Sequence, residues 1–228
     1  MELWQRYLNV YSEAVNRHCE KTLGFISEPV NTVSNIAFFV SAFLTYKLLA
    51  KNRVTNPHIP RLLLLIILIG VGSTLYHGFN SPYTLILDQT PIYAFLIYSL
   101  YLITGYATKS NFIKIFIPLV LAGMQIWILK NAPAFILNIP TSHLINLLYV
   151  SLLIIWLYKK LGKVVLNIIL IVFIYGIAAL SRTFDPILCP INKFGTHVFW
   201  HILMATVLYL TTKFLIEVDK KIRWQKVE

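Results

Sequence analysis

The chain has 228 residues, of which 57% are hydrophobic and only 13% charged, with a formal net charge of +11. A soluble domain carries roughly 25% charged and 45–50% apolar residues, so neither a water-soluble globule nor a disordered chain fits. A mean hydropathy of +0.69 points to the membrane, where surplus Lys and Arg mark the cytoplasmic side. No basic, aromatic-interleaved surface lies outside the apolar segments, so no nucleic-acid partner is expected.

Residues 1–30 lack an apolar run and carry Glu2, Arg6, Glu13, Arg17, Glu20 and Lys21. They read as a short amphipathic interfacial segment rather than a cleavable leader. Seven apolar segments follow, at 31–50, 61–79, 83–106, 112–129, 141–158, 163–180 and 196–217. Each is close to the ~17–25 residues a helix needs to cross a bilayer. Turn formers and charges fill the short connections, such as Lys51-Asn52-Arg53 and Thr108-Lys109-Ser110-Asn111. This pattern predicts an all-α polytopic membrane protein, a bundle of seven transmembrane helices forming one domain over 1–228. Residues 218–228 are expected as a cytoplasmic tail.

Seven spans put the two termini on opposite sides. The N-terminal side holds Arg6, Arg17, Lys21, Lys130, Arg182 and Lys193, and the C-terminal side holds the other 14 of the 20 basic residues. The positive-inside rule then predicts a cytoplasmic C-terminus and an outer or luminal N-terminal side. Both cysteines, Cys19 and Cys189, fall on that outer side. A bridge and two free thiols are the alternatives there, and topology tips towards the bridge.

Ionisable groups inside a span are costly and usually functional. Lys47, Arg61, Lys114, Lys163, Lys213 and Glu217 sit near segment ends and can snorkel. The remainder are His77, Asp88, His143, His197 and His201. His77 is near the end of span 2, Asp88 lies ~7 Å into span 3, and His197 and His201 are near the start of span 7. All four are therefore expected in one shallow layer on the N-terminal side. His197-x3-His201 puts two imidazoles on one helix face, and Ser73-x3-His77 puts a hydroxyl one turn from a third. Three histidines with an open position are the pattern of a catalytic zinc site. Taken singly, each feature has a bland reading: an interfacial His, a packed HxxxH pair, or a Ser bonded to its own helix. Asp88 needs a partner, and Pro91 frees the carbonyl of Leu87 beside it. Together, in one layer, a metal site is the better reading. His143 reads as a spectator, and neither His18 nor His58 fits the cluster.

Ser73-x3-His77, Asp88 and His197-x3-His201 resemble the signature of seven-span membrane hydrolases that include alkaline ceramidases and the adiponectin/progestin receptors. The stretch from Cys19-Glu20 through Gly24-Phe25 to Glu28-Pro29-x-Asn31-Thr32-x-Ser34-Asn35 is similar to the alkaline ceramidase family, particularly its bacterial-type members. Asp88-Gln89-Thr90-Pro91, Asp185 through Cys189 and Phe199-Trp200-His201 extend the similarity over nearly the whole chain.

That resemblance implies that His77, His197 and His201 hold zinc, Asp88 handles protons, and Ser73 polarises the scissile carbonyl. It also implies that Cys19 and Cys189 occupy positions that form a bridge in family members. Animal members bind calcium near the N-terminus, but here only Glu20 and Glu28 match that site. The other positions are Arg17, His18 and Thr22, and Lys21 adds a second cation. Hard calcium wants about 6–8 oxygens, so calcium is not expected; Arg17 or Lys21 pairing with Glu28 would do the same structural job.

The implied reaction is hydrolysis of the N-acyl amide of a ceramide-like membrane lipid to a fatty acid and a long-chain amine, with no obligate protein partner. The rival reading is a seven-span receptor of the progestin-receptor type with a structural metal site. A transporter is disfavoured by the lack of repeats and of broken helix pairs.

Overall fold

In a computed structural model of the protein, the described residues are all but 1, 16, 17, 23, 53, 55, 134, 137, 138 and 225–228. The helices are α1 (Glu2–Val15), α2 (Pro29–Ser34), α3 (Ile36–Asn52), α4 (Pro60–Phe79), α5 (Pro82–Ala107), α6 (Asn111–Asn131), α7 (Thr141–Leu161), α8 (Leu166–Leu188) and α9 (His197–Trp224). A 3₁₀ turn at Gly162–Val165 joins α7 to α8. The α6–α7 connection carries a two-residue antiparallel ladder, β1 (Phe135–Ile136) with β2 (Ile139–Pro140). The architecture is all-α.

Among the described residues, six helical stretches are long and apolar enough to cross a membrane, α2 and α3 counting together as the first, and α7 supplies a shorter apolar stretch, His143–Lys159. Their outer faces expose Phe43, Leu68, Leu119, Leu152 and Phe173, as a lipid-facing bundle must. Several polar groups turn inward and find bonds there. Ser41 donates to the Ala205 carbonyl at 2.8 Å, joining α3 to α9.

Sequence punctuation explains several helix ends. Pro60 and Pro82 occupy first-turn positions, where a missing N–H costs nothing. Ser81 accepts from the Thr84 amide while the Thr84 side chain answers the Ser81 amide, a reciprocal cap. Asn80 ends α4 in the left-handed region with φ 44°. The sixth segment departs from expectation. It was expected over 163–180, but α8 continues to Leu188. The polar run Ser181-Arg182-Thr183-Phe184-Asp185 ends the apolar pattern without ending the helix, because Ser181 and Thr183 bond to carbonyls of their own helix and Asp185 accepts from amides of the Cys19 segment and the start of α9.

One close approach sets the site. A Cβ on Gly72 of α4 would lie 2.1 Å from the Leu87 carbonyl oxygen of α5. Pro91 has no N–H to offer that carbonyl, and Gly72 has no side chain to keep it away. The residues that follow each contact point, Ser73 and Asp88, are thereby brought side by side.

At the same end of the bundle, α1 lies across the connections. Arg6 donates to the Ala132 carbonyl, Tyr7 to the Pro82 carbonyl, and Tyr11 to the Asn80 carbonyl, at 2.5, 2.6 and 2.7 Å. The segment after α1 is fastened by a disulfide between Cys19 and Cys189.

Candidate metal centre

His197 opens α9, and Asp185 fixes where that helix begins. Its Oδ1 accepts from the Thr196 and His197 amides at 2.5 and 2.9 Å, and its Oδ2 accepts from the Cys19 amide at 3.0 Å. A buried carboxylate at a helix start satisfies orphan donors and suits the positive dipole end. Gly195 makes this fit possible: its φ is +65°, and a Cβ there would sit 1.9 Å from Asp185 Oδ1. Glu20 performs the same service for α2, accepting from the Val30 and Asn31 amides at 2.7 and 2.8 Å.

These fixtures bring three imidazoles together. One nitrogen from each of His77, His197 and His201 lies within 4.8 Å of the others, and all three rings are buried. The Nε2 atoms of His77 and His201 are 3.1 Å apart. His77 Nδ1 donates to Glu28 Oε2 at 2.7 Å. Ser34 spends its one hydroxyl proton on the Asn31 carbonyl, so His201 Nδ1–H donates to Ser34 Oγ at 2.6 Å. Both rings thus keep their proton on Nδ1, and two bare Nε2 lone pairs face each other. Such a contact repels unless a cation sits between them. Two tetrahedral zinc bonds of ~2.05 Å would place the nitrogens ~3.3 Å apart, close to what is found. His197 supplies the third buried ring, and among the described residues its Nδ1 has no hydrogen-bond partner. The donor set therefore fits a zinc ion.

Behind the ligands stands a carboxylate. Glu28 accepts from His77, from His18 Nδ1 at 2.9 Å, and from Asn31 Nδ2 at 2.9 Å. Burial alone would raise the Glu28 carboxyl, but hydrogen bonds from both imidazoles overcome it and hold the group well below the usual range. Burial pushes the His18 imidazole below its ordinary value. His18, Glu28 and His77 also meet the spacing of a metal group, yet both rings already donate to the carboxylate, so this trio braces the three-histidine cluster. Partners of this kind orient a metal-binding imidazole and raise its basicity. Changing Glu28 to Gln is expected to weaken zinc binding about 10–100-fold, measured by competition with a metal-binding dye; unaltered affinity would remove Glu28 from this role.

Asp88 is buried on α5 and hydrogen-bonded to Ser73 and to Gln89 Nε2, the latter at 3.1 Å. Gln89 and Trp200, neighbours in sequence of Asp88 and His201, also line a cavity between α5, α7, α8 and α9. Its wall is almost entirely apolar and runs from Arg182 and His143 down to Ile103, Ile168 and Phe214.

Two expectations are corrected. His18 was expected to lie outside the cluster, but its ring is 4.5 Å from that of His197 and 5.3 Å from that of His77, centroid to centroid. A position in the N-terminal segment gave no hint that the disulfide would fold it over the site. Of the two cations expected as partners for Glu28, Arg17 or Lys21, only Lys21 is corrected. Lys21 is exposed, Arg17 lies outside the described residues, and the described partners of Glu28 are His18, His77 and Asn31. His143 stands apart, bonded to Tyr175 at 2.8 Å and packed on Trp200. Sequence reasoning missed Ser34 and Gly72; Gly72 had a signal in the carbonyl that Pro91 frees, one helix away.

The family model described as Ceramidase matches residues 15–226. No curated protein matches the chain.

Proposed function

The chain belongs to the ceramidase family, and from that premise we propose that its metal centre is a zinc-dependent amidase site for ceramide-like lipids. Membership makes the protein a membrane hydrolase acting on amide C–N bonds of ceramide-type substrates. The finer reading concerns the ion, the residues and the bond broken.

His77, His197 and His201 would hold the zinc. When bound there, zinc supplies a Lewis acid and lowers the pKa of water towards ~7. Asp88, fixed by Ser73 and Gln89, takes a proton from the attacking water and returns it to the departing amine. Ser73 gives its hydroxyl proton to Asp88 in the resting site and turns it to the substrate carbonyl oxygen as charge develops there. Donors in that role are worth roughly 10²–10³ in rate. The polar end of the lipid reaches this layer while its chains occupy the apolar cavity.

The observation carrying this reading is the pair of bare Nε2 atoms 3.1 Å apart, each fixed by a bond from the far side of its ring. The outer or luminal placement of the centre is supported by the basic bias of the opposite side and by the Cys19–Cys189 bridge, which suits an oxidising compartment.

The test uses the purified full chain. Elemental analysis is expected to find about one zinc per chain. Incubation with ceramide should release fatty acid and long-chain base over many turnovers, detected by mass spectrometry, with activity lost to a chelator and restored by zinc. Products formed undiminished in chelator would overturn the zinc reading, and zinc without turnover would overturn the amidase reading.

A further inference from the structure

Arg182 stands on the wall of the apolar cavity, near the end of α8 that faces the histidine layer. Its guanidinium lies over Trp200, 5.4 Å from the ring centroid, and within electrostatic reach of Asp88, His143, His197 and His201. Among the described residues it makes no hydrogen bond and no ion pair. The carboxylates that could neutralise it are engaged elsewhere: Asp185 with three backbone amides, Asp88 with Ser73 and Gln89. An arginine carries five donors in a rigid fork matched to carboxylate or phosphate. Placing it inside a span with every donor unspent is costly, so a partner that arrives with the ligand would settle that cost.

The shape of the cavity says which end of a ligand meets it. The lining runs from Gln89 to Ile103 on α5, from Ile168 to Arg182 on α8 and from Trp200 to Phe214 on α9. Each stretch is fifteen residues, or fourteen helical rises, so the cavity is ~21 Å deep. Arg182, Gln89 and Trp200 all fall at the shallow end, beside the metal centre, and apolar residues fill the deep end. An extended hydrocarbon chain in this slot would present its polar end to Arg182.

We propose that Arg182 recognises an oxyanion at the polar end of the lipid held in this cavity, which makes acidic N-acyl lipids a substrate class of the site. The inference rests on the amidase reading. Two sources share this chemistry, an anionic headgroup on the amine side or the carboxylate of the released acid, and a binding experiment separates them.

Equilibrium binding of N-oleoylglycine, N-oleoylethanolamine and oleate is measured on the metal-free full chain in detergent, for the native protein, R182Q and R182K. The first two lipids share one chain and one amide and differ in a carboxylate against a hydroxyl. The native protein is expected to bind N-oleoylglycine about 10–100-fold tighter than its neutral counterpart, the range for a charge-assisted pair. R182Q should abolish that ratio and R182K should keep part of it. Tightening seen with N-oleoylglycine alone places the anion on the amine side; tightening shared by oleate places it on the acid. A ratio equal in the native protein and R182Q, or no preference in either, overturns the proposal. Because no turnover is needed, a chain that shows the Arg182-dependent ratio but hydrolyses no amide counts against the amidase reading alone.

Discussion

Replacing His197 with alanine is expected to strip the zinc and cut turnover at least ~10³-fold while the bundle stays folded. His197 is the first residue of α9, and that helix start is held by Asp185 through backbone amides. The imidazole is therefore removable without removing the cap. What goes with it is one of the three imidazoles of the buried cluster. Several kcal/mol of transition-state stabilisation leave with the ion, and each ~1.4 kcal/mol is tenfold in rate. Elemental analysis, helicity by circular dichroism and product release, measured on the same preparation, read the three consequences. His201→Ala is a second route to the same end, since its ring is held by Ser34 rather than Glu28. Retained zinc and full turnover in both variants would take the histidines out of the mechanism.

Asp88→Asn separates proton handling from metal binding. The amide keeps the size of the carboxylate and one oxygen that can accept from Gln89, while its nitrogen can only donate, and it cannot accept a proton from water. Zinc content should remain at the native level while turnover falls ~10²–10⁴-fold, the range for loss of a positioned acid–base group. Loss of zinc together with activity would make Asp88 part of the metal scaffold instead. Native turnover would require another base.

Hydropathy made the apolar helices legible, because a lipid-facing helix must be apolar around most of its surface. The end of α8 was not legible for the complementary reason. Arg182 and Asp185 look like a terminus to any window average, yet they are interior groups whose surroundings come from α9, the Cys19 segment and the cavity. The histidines on α4 and α9 could be placed in a common layer from their depth within spans. Their supporting groups could not, since Glu28 and Ser34 reach the rings across 49 and 167 residues of sequence. His18 was hidden because its location depends on a bridge spanning 170 residues. Gly72 shows the opposite case: the free Leu87 carbonyl was readable, but the glycine that fills its vicinity lies on another helix.

The order in which the chain is made gives the arrangement of ligands a temporal meaning. His77 and His201 are 124 residues apart, so at ~5–20 residues per second the second imidazole leaves the ribosome roughly 6–25 s after the first. Throughout that interval the nascent protein holds His77 with Glu28 and His18 but neither imidazole of α9. On the proposed reading, metal capture by the three-histidine cluster waits for insertion of the last helix, and a product that stops short of α9 lacks two of its three imidazoles.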